Sequence, residues 1–219
     1  YGAVGANLHG TPVVCGGGGG GYSGWFQTCY KYTNIGWQQF ASMKEKRGNA
    51  AGVTYKNKFH VFGGIGSSSS KQSTELISID GGVEYGPDLP EEVELHAITS
   101  INSTTSLLSG GRTSAAWSSS LSWYFNHETN VFSSGPSLLQ GRNSHGSATI
   151  VDKVTKAKIP IVFGGFGAYM DYMDSTELLI NGIWQSGTIQ CQKIATPVMK
   201  GGIALFSLSH IRTGIITII

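Results

Sequence analysis

"FHVFGGIGSSSSKQSTELISID", residues 59–80, sets an apolar run against a Gly pair, then a serine-rich loop, then a second apolar run. The first run reads as a buried strand. The alternating apolar and polar residues of "STELISI" (73–79) read as a half-buried one. Glycine permits backbone conformations closed to other residues and lets neighbouring backbone come close. A strand that ends on Gly63 and Gly64 therefore predicts a crowded place, where a side chain would collide with the next unit.

The same arrangement occurs three more times. Apolar runs end on Gly pairs at "VVCGG" (Gly16, Gly17), "HVFGG" (Gly63, Gly64), "SLLSGG" (Gly110, Gly111) and "PIVFGG" (Gly164, Gly165). The steps are 47, 47 and 54 residues, the last stretched by the charged loop "DKVTKAK" before Ile159. Trp37, Tyr85, Phe132 and Trp184 recur with steps of 48, 47 and 52. Two markers with one period indicate repeated supersecondary units.

The second unit reads as four short strands: 49–55, 58–64 after a "KN" turn, 73–79 after a polar loop, and a short one around Tyr85, closed by "GPDLP". Four antiparallel strands in about 47 residues make the blade of a β-propeller. The expected fold is all-β, a single domain over 1–219 with four complete units and a partial fifth. The units run about 1–46, 47–93, 94–141, 142–197 and 198–219. Ala50, Ala51, Ala97 and Ala148 fall in the first strands, as a narrow central channel requires.

The pattern resembles the kelch-repeat family. The residues that carry the resemblance are the four Gly pairs, the in-phase Trp37, Tyr85, Phe132 and Trp184, and the "STEL" segments at 73–76 and 175–178. It covers roughly residues 3–190. It implies a propeller closed by five to seven blades, most often six, and it leaves function open, because such propellers include adaptors, secreted proteins and a few enzymes. "VMKGGIALFSLSH" (198–210) and "RTGIITII" (212–219) look like two strands of a fifth unit, the second without its Gly pair. Ile203, Leu205, Ile215, Ile216 and Ile218 would then need cover from further sequence or another chain, so the expectation is part of a larger assembly or an incomplete protein, and not a free, closed monomer.

Composition narrows the partners. Charged residues are 13% of the 219, Gly is 32, and net charge is +2. That balance gives no reason to expect nucleic acid or an anionic membrane. No apolar run approaches the ~18 residues that span a bilayer, and "GIITII" is too short. No signal peptide is visible at Tyr1, which fits a processed or truncated N-terminus.

Cys15 immediately precedes the first Gly pair, and Cys29 lies 13 residues after Gly16. Phe62 and Leu76 hold those places in the second unit and are expected to face each other. Cys15 and Cys29 then form either a cross-strand disulfide or two buried thiols. Cys191 has no evident partner. "NST" at 102–104 makes Asn102 a glycosylation acceptor pattern at a turn. Together these point to a secreted or extracellular protein.

The loops between second and third strands share one end with the connections from unit to unit. They offer Tyr22, Trp25, Trp117, Tyr169 and Tyr172, and the connections add Arg47, His96, Arg142 and His145. Exposed aromatics beside Arg suit a protein-contact surface; the other reading packs them over neighbouring units. Asp171 and Asp174 read as a cation pair or as solvated charges. "SIDGGVEY" (78–85) resembles the Asp box of sialidases and also reads as ordinary hairpin chemistry.

The resemblance extends to the core of galactose oxidase, a copper enzyme. Of His9, His60, His96, His127, His145 and His210, only His96 and His145 fall near equivalent places on the loop end. No Tyr–His neighbour pair, Ser–His–Asp motif, phosphate loop or CxxC pair appears, and "GGGGGG" (16–21) lacks the Lys of a P-loop. The expectation is a non-catalytic binding or scaffold module with no cofactor and no metal, and a protein partner. A propeller enzyme acting on carbohydrate or primary alcohol is the alternative.

Overall fold

The computed structural model describes residues 1–19, 24–67, 69–152, 154–169, 171–187 and 216–217. Among them the chain is all-β, and no helix forms. The first sheet holds β1 (Ala3–Leu8), β2 (Thr11–Gly16), β3 (Thr28–Thr33) and β4 (Gly36–Ser42). The second holds β5 (Ala51–Tyr55), β6 (Lys58–Phe62), β7 (Thr74–Ser78) and β8 (Val83–Tyr85). The third holds β9 (Ala97–Ser100), β10 (Thr105–Ser109), β11 (Ser122–Asn126) and β12 (Val131–Ser134). The fourth holds β13 (Gly146–Asp152), β14 (Lys158–Phe163), β15 (Thr176–Ile180) and β16 (Ile183–Ser186).

Each sheet is an antiparallel meander, and no sheet closes on itself. The first strands lie side by side: β1 touches β5, β5 touches β9, and β9 touches β13. A short β17 (Ile216–Thr217) pairs antiparallel with β13, so it extends the fourth sheet. The rest of the expected fifth unit, with His210, Ile203, Leu205, Ile215 and Ile218, lies outside the described residues, as does Cys191 of the fourth.

Three apolar layers fill the spaces between successive sheets. Val4, Leu8 and Val13 of the first sheet meet Phe59, Val61 and Ile77 of the second. Phe62 of the second meets Leu108, Trp123 and Phe125 of the third. Leu107 of the third meets Val162, Leu179 and Trp184 of the fourth. In β6, Phe59 and Val61 face one neighbour and Phe62 the other, which is why this strand is buried from Phe59 to Phe62 instead of alternating. Each such side chain contributes about 1.5–3 kcal/mol.

Cys15 and Cys29 sit opposite each other on β2 and β3 and are disulfide-bonded, with Cα atoms 4.1 Å apart. The bridge lies inside the first apolar layer, and closing its loop contributes about 3 kcal/mol. The equivalence used to anticipate it needs correction. Phe62 is opposite Thr74, and Leu76 is opposite His60. The first loop is two residues longer than the second, so Cys29 takes the place of Thr74.

The aromatic period needs a similar adjustment. Trp37, Phe132 and Trp184 lie opposite Tyr32, Phe125 and Leu179. In the second sheet the equivalent residue is Val83, opposite Ile77, and Tyr85 lies two residues further, opposite Glu75.

Candidate functional site

The glycine pairs explain the seams between units. Gly63 and Gly64 have φ of 55° and 93°, in the left-handed region that favours glycine. A Cβ on Gly63 would stand 2.5 Å from the Val93 carbonyl oxygen, and one on Gly64 2.6 Å from that of Gly48. The closeness is used: Gly64 N donates to Val93 O at 2.9 Å, Gly17 N to Arg47 O at 2.9 Å, and Gly111 N to Arg142 O at 2.8 Å. For Gly164, the nearest described atom is Met173 O, at 3.6 Å. A second chain of bonds runs through Asn49, Leu95 and Ser144, with φ of 54°, 58° and 53°. Asn49 N donates to Gly2 O, Leu95 N to Asn49 O, and Ser144 N to Leu95 O, at 2.8–2.9 Å.

Arg47 and Arg142 belong to these seams and offer nothing to a partner: they are 1% and 0% exposed. Arg47 Nη1 donates to the carbonyl oxygens of Gly63 and Ser73, and Nη2 donates to Ser73 Oγ and, at 2.7 Å, to Glu75 Oε1. Glu75 also accepts from Lys44 N and Glu45 N. Arg142 repeats the pattern with Gly164, Ser175 and Glu177, and Glu177 accepts from Leu139 N and Gln140 N. At the third unit the same places hold Val93 and Trp123, and Pro90, which has no N–H, stands where Lys44 and Leu139 donate.

His96 and His145 are buried wedges, 6% and 8% exposed. The His145 ring packs against Gly110, and its Nε2 is hydrogen-bonded with Ser109 Oγ at 3.2 Å. His96 packs against Gly63, where Phe62 replaces that serine, and neither of its ring nitrogens has a partner among the described residues. Burial pushes His96 down to about 4, and burial, with Arg142 and His96 nearby, pushes His145 down to about 3. Both imidazoles are therefore neutral wedges, placed away from the surface they were expected to line.

The aromatics divide. Trp25 is half-buried: it lies over Gly18 and Gly48 and makes an edge contact with Tyr1, ring centroids 5.4 Å apart. Trp25 bridges to Gly18 as Tyr172 bridges to Phe166, so the two residues hold equivalent loop places at one end. Trp117 is 39% exposed, Tyr172 68% and Tyr169 95%. Tyr22 lies outside the described residues.

Residues that no sequence marker had singled out turn the third and fourth loops into one platform. Ser118 Oγ donates to the carbonyl oxygens of Phe166 and Gly167, at 3.0 and 2.9 Å. Asn143 Nδ2 donates to Trp117 O at 3.0 Å. The Arg112 guanidinium covers the Trp117 ring at 4.3 Å and lies 3.6 Å from the Glu94 carboxylate. Phe166 supports Tyr172, ring centroids 4.7 Å apart. The available signal was position: Ile65, Arg112 and Phe166 each directly follow a Gly pair and each bridge to the incoming connection.

Two open clefts lie between the second and third sheets and reach the opposite end. One of about 980 Å³ is lined by residues including Tyr55, Lys58, Glu84, Tyr85 and His127. One of about 450 Å³ shares Tyr55 and His127 and includes Asn102. Asn102 is exposed, and its Oδ1 accepts from Thr104 N and Oγ1. Among the described residues, no three His, Cys, Asp or Glu are grouped to hold a metal ion, and no helix is long and apolar enough to cross a membrane. No protein-family model matches the chain, and comparison with curated proteins gives no match.

Proposed function

We propose that the chain is part of a kelch-type β-propeller that works as a non-catalytic protein-binding module through its loop end. The four meander sheets with adjacent first strands support the propeller reading. One observation carries the binding reading: Trp117, Tyr169 and Tyr172 are exposed on two loops that Ser118 and Asn143 tie together. Trp, Tyr and Arg are the residues that dominate interface energies, and a surface held in place loses little entropy on binding. The Cys15–Cys29 bridge and the exposed Asn102 turn support a secreted setting.

The test is proximity crosslinking on living cells, comparing the chain with a Trp117→Ala/Tyr169→Ala/Tyr172→Ala variant of unchanged melting temperature. A protein captured by the first and lost with the second supports the reading. Equal capture by both, or none by either, overturns it.

A further inference from the structure

We infer that the platform formed by the third and fourth loops takes a proline-rich segment carrying Lys or Arg, bound as a polyproline II helix. The inference rests on the binding reading above and names the chemistry of its partner. Peptides are recognised by a small set of physical modes, and the geometry argues against three of them. Strand addition needs a free sheet edge; the edges are the outer strands β4, β8, β12 and β16 and the inner strands β1, β5 and β9, which lie against one another, and all of these run along the sheets instead of across the loop end. A helix needs a groove, and the two clefts described above are lined by neither the third nor the fourth loop. Recognition of a phosphate needs a cluster of free arginines, and Arg112 is already engaged by Glu94 and the Trp117 ring.

The platform itself presents exposed rings on two loops that are tied together. Trp117 is anchored through its own carbonyl oxygen, and Tyr172 rests on Phe166. Ser118 fixes the spacing between the two loops by bonding the Phe166 and Gly167 carbonyls. Rigid aromatic ridges suit proline rings, because a polyproline II segment is already extended and has little entropy to lose. Charge selects among such segments. Asp171 and Asp174 are exposed beside Tyr172, and neither forms an ion pair among the described residues. A basic residue flanking the prolines meets that charge.

The experiment measures fluorescence anisotropy of three labelled decapeptides with the whole chain: one of eight Pro and two Arg, a decaproline, and a Gly–Ser peptide with two Arg. The Pro–Arg peptide should bind at least about tenfold more tightly than the Gly–Ser–Arg one. Tyr172→Ala should remove about tenfold of that affinity, while Tyr55→Ala at the far end changes nothing. Asp171→Asn/Asp174→Asn should weaken the Pro–Arg peptide and flatten its salt dependence, leaving decaproline unchanged. Melting temperatures of the variants confirm that the fold persists. Equal binding of the proline and glycine peptides, or an unaffected Tyr172→Ala, overturns the inference. If the crosslinked protein is still lost with the aromatic triple variant, the binding reading survives that failure. If capture is also indifferent to the variant, both fall.

Discussion

The buried Arg47–Glu75 pair can be exchanged for the apolar solution the chain itself uses one unit later. Both side chains have no exposure, and their charged atoms are 2.7 Å apart. Arg47→Val alone leaves the Glu75 carboxylate in the seam with only the N–H groups of Lys44 and Glu45. Glu75→Trp alone leaves the guanidinium only the partly exposed Glu45 carboxylate, 3.8 Å away. Breaking a buried pair from one side costs about 3–5 kcal/mol, because the surviving charge stays desolvated. The combined Lys44→Pro/Arg47→Val/Glu75→Trp replacement copies Pro90, Val93 and Trp123, which removes both charges and one donor that needs an acceptor. Replacing a whole buried ion pair by apolar residues of similar volume is often neutral, so the triple variant should lose under about 2 kcal/mol. The coupling within this set should then reach about 4 kcal/mol, above the usual 0.5–3 for contacting residues. Urea denaturation of the wild-type chain, the three single variants and the triple variant measures it. Singles costing under about 1 kcal/mol, or a triple costing as much as its singles together, would show that Arg47 and Glu75 are not coupled as a buried pair.

Acid should loosen the seams. Burial holds His60, with His127 nearby, at about 3, His96 at about 4 and His145 at about 3, against an ordinary 6.5. The folded values are depressed, so stability is complete above about pH 6.5 and falls as pH drops toward 4 and 3, by roughly 2 kcal/mol per imidazole at pH 5; equal denaturation midpoints at pH 7 and pH 5 would refute this. Gly63→Val should cost a few kcal/mol, since the added Cβ meets Val93 O at 2.5 Å at a φ of 55°, and an unchanged melting temperature would remove the packing argument. Leu95 holds a φ of 58° where Asn49 stands in the preceding unit, so Leu95→Asn should raise stability by up to about 1 kcal/mol, and a lowered melting temperature would contradict the strain.

The fold was legible because glycine, placed at a fixed period, can be read without knowing its neighbours. The strands around Gly63 and Gly64 were expected at 49–55, 58–64 and 73–79, and β5, β6 and β7 lie inside those spans. The site was less legible because Arg and His were read as surface residues from their loop positions. The burial of Arg47 depends on Glu75, 28 residues on, and "STEL" carried that partner without announcing it. The two-residue slip between Cys29 and Leu76 arose from loop length, which a period fixed at the Gly pairs does not constrain. Ser118 and Asn143 were missed because small polar residues in loops have no pattern until both loops are placed.

The bonds passed from Gly2 to Asn49, Leu95 and Ser144 link each unit to the next in line. Such a chain behaves like a one-dimensional lattice, in which a unit is stabilised by its own strands and by its two borders. Amide hydrogen exchange should then grade along the molecule, slowest in β6 and β10, which have sheets on both sides, and faster toward an outer sheet wherever its far border is open. Opening would spread border by border, and a ligand that spans two loops, as across Trp117 and Tyr172, would lock a border without touching the strands behind it.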